Sequence, residues 1–434
     1  MTARRWWRAV VALVLGATLV MGTAPRAALE AQTPAADQAD SLTTMYTVEG
    51  VRVIHRLATT SDIVFAGLYL LGGVRQVTPE TAGIEVLLLE ASERGTRTYP
   101  RDRLRQTMAR LGTSIDTRVT ADWTSLALRA TTSTFDSTWR VLASRVMEPQ
   151  LDSTEVEIIR EQILAAVRQR RDVPDALVEF LADSFAFEGH PYALPPSGTE
   201  ASLSRLTVAD LRRYHREQFV KSRMLLVVVG NVPRARIEQL VRATIGRLPQ
   251  GDYVWTLPDP LPREPSDVLA VNRPLPTNYI LGRYPGPRAD SPDYHALRIA
   301  TAILSGQLFS EVRSRRNLTY AVEAPFVERA VAIGGLYVTT VQPEVTLEVM
   351  RQQVLALRNG MVNESALEQL IRQFTTHYFL DNESAEDQAD FLARAYLFTG
   401  DYRRAMRFAD ELRAVTPQDI RRVAQRYLRD VQFV

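Results

Sequence analysis

LTVADLRRYHREQF, residues 206–219, comes back late in the chain as VTPQDIRRVAQRYL, residues 415–428. Thr207 and Thr416 are placed as helix N-caps, and Asp210 and Asp419 fall in the first turn, where a carboxylate complements the helix dipole. Arg212-Arg213 matches Arg421-Arg422, and Pro417 fits the first helical position, where no backbone N–H is needed. The match points to an internal repeat.

Working back from each copy gives the same order of elements. A strand (DIVFAGLYLLGG, 62–73; NYILGRYPG, 278–286) leads to a helix (ETAGIEVLLLEA, 80–91; PDYHALRIATAILSG, 292–306). Strand-like runs follow, SIDTRVTADWTSLALRATTS (114–133) in one half and LTYAVEAPFV (318–327) plus GGLYVTTVQ (334–342) in the other. Long helices close each half, including an amphipathic one near 363–377. Strands first and helices later predict an α+β fold, two homologous domains, each a mainly antiparallel sheet with helices layered on one face. Five prolines in LPQGDYVWTLPDPLPREP mark a linker at 248–265. It separates a domain at 45–247 from one at 266–434. Trp255 in that linker is expected to pack on its own domain rather than serve as a contact.

The first residues read as a targeting segment. Arg4, Arg5 and Arg8 precede an apolar run from Ala9 to about Gly22, too short for a comfortable membrane span. This predicts a signal peptide at 1–31, cleaved near Ala31, and a small, polar, flexible lead-in at 32–44. The alternative reading is a retained membrane anchor. With no cysteine after the run, a lipoprotein anchor is excluded, as are disulfides, iron–sulfur clusters and thiol catalysis. Loss of four arginines and one glutamate with residues 1–31 turns the net charge from +2 to −1. The basic balance therefore belongs to the targeting segment and gives no argument for nucleic acid. Lys221 is the only lysine, which reads as a genomic bias.

GIEVLLLEASERGT (83–96) reads as a helix with Ile84, Leu87, Leu88 and Ala91 on one stripe, bracketed by Glu85 and Glu90 and stopped at Gly95. Five stretches resemble the insulinase/pitrilysin family, which includes the mitochondrial processing peptidases. They are GVRVIHR (50–56), GGVRQVTPETAG (72–83), GHPYALPPSGT (189–199), LTVADLRRYHREQF (206–219) and MLLVVVGNV (224–232), all in the family's order. The resemblance spans about 45–434 and implies an H-x-x-E-H zinc motif on the helix after the 72–83 turn. In that motif two His on one helix face converge on Zn²⁺, the Glu takes a proton from metal-bound water, and a later Glu completes the ligands.

Alignment on Gly83 and Gly95-Thr96 puts Val86 and Glu90 at the His positions and Leu89 at the base. The later helix, EVEIIREQILAAVRQ (155–169), matches at Arg160 and Ile163-Leu164, and its metal-binding position is Ala166. All four positions are degenerate, so no catalytic residue and no metal or other cofactor is expected in this chain. The five His (55, 190, 215, 295, 377) are not paired within a helical turn, and Ser197 and Ser202 lack a nucleophile-elbow setting. His190 reads as a structural residue of its loop.

The second half retains something. LFSEVRSRRNLTYAV (308–322) resembles the family's Arg…Leu-x-Tyr element, with Arg313 and Tyr320 seven apart. The resemblance implies that this pair binds substrate backbone at a zinc site in a partner. On pattern alone, Arg313 is one of three arginines at a helix end and Tyr320 an ordinary strand residue. The stretch before it, ILSGQLF, has only Gly306, where the family often has a glycine-rich loop.

Two functions follow as expectations. One is a non-catalytic, substrate-binding subunit of a heteromeric periplasmic (or secreted) zinc metallopeptidase, inactive alone. A zinc-bearing homologous partner would complete a heterodimer acting on unfolded peptides. The other is a non-enzymatic scaffold or peptide-binding protein of the same fold. Neither requires nucleic acid, nor a membrane once the signal is removed.

Overall fold

The computed structural model describes residues 42–434. The expected signal peptide, and the lead-in up to residue 41, lie outside the described residues. One boundary changes: Thr43 and Thr44, expected in the lead-in, belong to the first strand, because they pair with Arg56 and His55 across a hairpin.

The N-terminal half runs β1 (Thr43–Val48), β2 (Val51–Leu57), β3 (Ile63–Leu71), α1 (Ile84–Ser92), α2 (Arg101–Leu111), β4 (Ser114–Val119) and β5 (Trp123–Thr131). Helices α3 (Phe135–Met147), α4 (Ser153–Gln169), α5 (Pro174–Ala186), α6 (Glu200–Arg205) and α7 (Val208–Gln218) follow, then β6 (Met224–Gly230) and α8 (Arg234–Ala243). The C-terminal half runs β7 (Asp267–Val268), β8 (Asn278–Arg288), α9 (Asp293–Leu308), β9 (Val322–Glu323), β10 (Phe326–Val327) and β11 (Val331–Thr340). It closes with α10 (Pro343–Asn359), α11 (Glu364–Asp381), α12 (Ala385–Thr399), α13 (Arg404–Arg413), α14 (Pro417–Tyr427) and β12 (Gln432–Phe433).

The repeat is visible in the sheets. The first has the order β1-β2-β6-β3-β5-β4, and the second, read in reverse, β7-β12-β8-β11-β10, with β9 also on β11. In each, the late strand enters beside the third-strand equivalent antiparallel (β6 on β3, β12 on β8) and meets the outer strand parallel (β2, β7). The helix before that late strand carries the same capping box twice. Thr207 Oγ1 accepts from Asp210 N (3.1 Å) while Asp210 accepts from Thr207 N (3.0 Å). Thr416 and Asp419 repeat this at 3.2 and 3.1 Å. Each box satisfies two backbone donors that a helix start leaves orphaned.

Within each half the helices lie on one face of the sheet, as expected of the α+β class. Along β3, Val64, Ala66, Leu68 and Leu70 face the helix side, where α1, α3 and α4 supply Leu87–Leu89, Leu142 and Ile159. The alternate residues Phe65, Tyr69 and Leu71 are buried as well. What covers them is α12 of the other half, through Ala389, Leu392, Ala393 and Leu397. The exchange is reciprocal, since α5 of the N-terminal half packs Val178 and Ala182 on Leu281 of β8. The two exchanged helices carry related runs, EFLA at 179–182 and DFLA at 390–393. Polar clamps fix both seams. Asp390 accepts from Tyr69 Oη and Arg118 Nη1, each at 2.6 Å. Asp183 accepts from Arg283 Nε (2.8 Å) and Arg329 Nη2 (2.9 Å). Trp255 also joins the halves: its Nε1 donates to Leu397 O of α12 (2.7 Å), while its ring carries the Arg75 guanidinium at 4.8 Å.

Candidate functional site

The site is built around α1. Its entry is a close backbone crossing: Gly83 (φ +87°) and Gly198 (φ +81°) lie back to back, and a Cβ on Gly198 would stand 2.7 Å from Ala82 O. Only glycine fits both the conformation and the distance. Ser202 Oγ donates to that same Ala82 O (2.7 Å), Thr199 caps α6, and Ser197 Oγ accepts from Arg170 Nη2 (2.8 Å). His190 is likewise engaged, its Nδ1 accepting from Tyr192 N (3.1 Å).

The carboxylate buried in α1 is Glu85, not Glu90. Glu85 is 5% exposed and accepts from Arg223 Nη2 (2.5 Å), Tyr214 Oη (2.9 Å) and Thr124 Oγ1 (2.5 Å). Burial first, and then Glu85 beside it, push the Tyr214 phenol well above its ordinary range. At the other end, Arg145, 2% exposed, reaches Leu89 O, Ser92 Oγ and Ile115 O, each at 3.1 Å, and so holds the last turn of α1. The helix is thus pinned at both ends by buried ionic side chains.

Of the nine residues of α1, only Val86 and Glu90 are half-buried, and the other seven are buried. This i, i+4 stripe is where paired ligands would stand. Val86 offers only hydrocarbon, and Leu89 is fully buried in the core. Glu90 has its carboxyl raised, first by burial and then by Glu93, against the opposing pull of Arg145 and Arg94. Ala166 is an exposed methyl on α4. One carboxylate among alkyl groups does not make a zinc site, whose ligands are imidazole, thiolate or carboxylate in sets of three or four. Among the described residues, no group of three or more His, Cys, Asp or Glu is arranged to hold a metal ion. The residues here do not fit zinc.

Arg313 and Tyr320 are brought together. A wide π-type turn, Phe309–Ser314, extends α9, and Asn317 in the left-handed region (φ +51°) folds the chain back. The Arg313 guanidinium sits 4.7 Å from the Tyr320 ring centroid and 5.0 Å from that of Phe309. Tyr320 is 81% exposed. Its neighbours are spent differently: Arg315 and Arg316 both pair with Glu311, at 2.5 and 2.6 Å. Arg313 pairs with no carboxylate among the described residues, so aromatic faces orient its donors without consuming them.

Sequence reasoning missed two groups. Glu85 is buried against Arg223, 138 residues away, a contact that no local pattern announces. Arg75, the one charged side chain between Leu71 and Pro79, was open to notice.

The insulinase (peptidase family M16) model matches residues 52–200, and the peptidase M16 inactive domain model matches residues 205–374. The chain belongs to the insulinase family. It is 20% identical over 385 residues to the uncharacterized zinc protease YmxG of Bacillus subtilis, covering 87% of this chain and 93% of that one. It is 23% identical over 241 residues to mitochondrial cytochrome b-c1 complex subunit 1 of Mus musculus, covering 55% of this chain and 50% of the relative. The crystal structure of a peptidase M16 inactive domain from Pseudomonas fluorescens superposes with a TM-score of 0.82 at 18% identity, covering 90% of this chain and 97% of that one.

Proposed function

We propose that this chain is the non-catalytic, substrate-binding subunit of a heteromeric periplasmic metallopeptidase of the insulinase family. A homologous partner supplies zinc and base, and this chain supplies Arg313 and Tyr320. The observation that carries the reading is a contrast within one molecule. The α1 stripe has lost its donors to Val86, Leu89 and, on α4, Ala166, whereas Arg313 keeps unspent donors on an exposed aromatic platform. A guanidinium held this way can donate to a peptide carbonyl or to the negative oxygen that develops from it. The Tyr320 phenol is a second donor to the same group. The arginine-led apolar segment at 4–22 supports export, and among the described residues no helix is long and apolar enough to cross a membrane.

The test is co-expression with a homologue bearing an intact H-x-x-E-H. A complex that cleaves an unfolded fluorogenic peptide, and in which Arg313→Ala lowers kcat/KM at least about tenfold with assembly unchanged, is the expected result. Peptidase activity of this chain alone, abolished by chelator, overturns it. The similarity to cytochrome b-c1 complex subunit 1 favours a second reading, a scaffold without proteolysis. That reading prevails if the complex cleaves equally well with Arg313→Ala.

A further inference from the structure

Arg75 sits on the turn between β3 and α1, half-buried, with its guanidinium 4.8 Å from the Trp255 ring centroid. Its Nε and Nη2 are both buried, and neither finds an acceptor among the described residues. These two atoms form one edge of the guanidinium, the side-on fork that matches the two oxygens of a carboxylate. Elsewhere this protein uses that edge in just that way. Arg404 holds Glu411 with Nε and Nη2 at 2.8 Å each, Arg288 holds Asp290 at 3.3 and 3.0 Å, and Arg236 takes Asp136 with the same two nitrogens.

The nearby acid, Asp122, attracts Arg75 but accepts no hydrogen bond from its Nε or Nη2. Asp122 is 2% exposed, its Oδ1 accepting from Tyr192 Oη and its Oδ2 from Ala330 N (2.9 Å). Arg329, which stacks on Tyr192 at 5.1 Å, adds a second buried donor without an acceptor, its Nη1. Burial lowers the His190 pKa, Asp259 opposes it, and Arg75 and Arg329 lower it further, so both cations and Asp259 act on one locality. A buried guanidinium edge without an acceptor costs far more than a lost neutral hydrogen bond. The platform beneath it is fixed, because Trp255 is itself tied to Leu397 of α12.

We propose that the Arg75 fork, on its Trp255 platform at the junction of the two halves, is a binding site for a carboxylate group. The choice of peptide carboxylates as probes rests on the peptide-handling reading, whereas the site does not involve Arg313 or Tyr320. The test is calorimetric titration of the full chain with three probes: acetyl-tetraalanine with a free C-terminal carboxylate, its C-terminal amide, and an amide of the same length with one internal glutamate. The expected result is binding of a carboxylate probe with the neutral amide at least about tenfold weaker. Arg75→Gln abolishes the preference, and Arg75→Lys, which keeps charge but loses the fork, weakens it by a similar factor. Binding of the free acid alone assigns a peptide terminus, and binding of the glutamate amide assigns an acidic side chain. Either supports the site.

Equal affinity for the neutral amide, no binding of either carboxylate probe, or unchanged affinity in Arg75→Lys overturns it. The lysine variant carries the test if Arg75→Gln does not fold, which circular dichroism reads. The assay needs neither partner nor cleavage, so its failure leaves the Arg313 reading standing, and the reverse holds too.

Discussion

The two halves each bury one acid in the first turn of the helix that follows their shared strand, but they hold it differently. Glu85 of α1 faces Arg223, whose side chain is 0% exposed, with Tyr214 and Thr124 completing the shell. Asp293 of α9 accepts from Arg422, from Arg426 (3.2 Å) and from Tyr427 Oη (3.0 Å), but those arginine side chains are 46% and 66% exposed. Both acids also meet the positive end of a helix dipole. The first pair is internal, and the second bridges to solvent. What both halves share is thus the device that seats the helix, while the half-buried positions of α1 are Val86 and Glu90. Seating is a requirement of the fold, whereas metal ligation is not.

The largest expected effect exploits this difference. Glu85→Ala strands a fully buried guanidinium and should cost roughly 3–5 kcal/mol in chemical denaturation. Asp293→Ala frees arginines that can turn to water, so about 1–3 kcal/mol is expected. A larger loss at Asp293 than at Glu85 would break the comparison.

A third prediction concerns a group only the second half carries. Glu323 on β9 is raised to about 7, by burial first and then by Glu179 and Asp175 of α5, with Arg283 opposing. Because this folded-state pKa lies above the unfolded one, the folded state holds the extra proton. Stability contributed there is present below about pH 4.5 and is lost as pH rises toward about 7. Denaturation midpoints should therefore fall across that window, and Glu323→Gln should flatten the slope. The smallest effects test the repeat itself: Thr207→Ala and Thr416→Ala should each cost about 1 kcal/mol, and equally. Unequal losses would mean that the two boxes do different work.

Much of this molecule was legible in its sequence. The order of elements, the twin capping boxes and the Arg313–Tyr320 spacing could all be read because they rest on local periodicity, local hydrogen bonds and short separations. Assigning the buried acid of α1 was harder. Glu85 and Glu90 look alike in a single apolar helix, and the choice depends on Arg223, which stands 138 residues away. Arg313 posed the same problem. Three arginines at a helix end are equivalent in sequence, and Glu311 decides between them by pairing with Arg315 and Arg316.

By itself, then, the sequence determined the α+β halves, their duplication and the alkyl side chains at 86, 89 and 166. These follow from side-chain chemistry and from contacts a few residues apart. Only the tertiary structure decided that α5 and α12 are exchanged between the sheets. Each helix meets its sheet across a long sequence separation, through Asp390 on Tyr69 and Arg118 and through Asp183 on Arg283 and Arg329. Only it, too, set Arg75 on Trp255 with an unspent fork, because that arrangement needs three distant segments to meet.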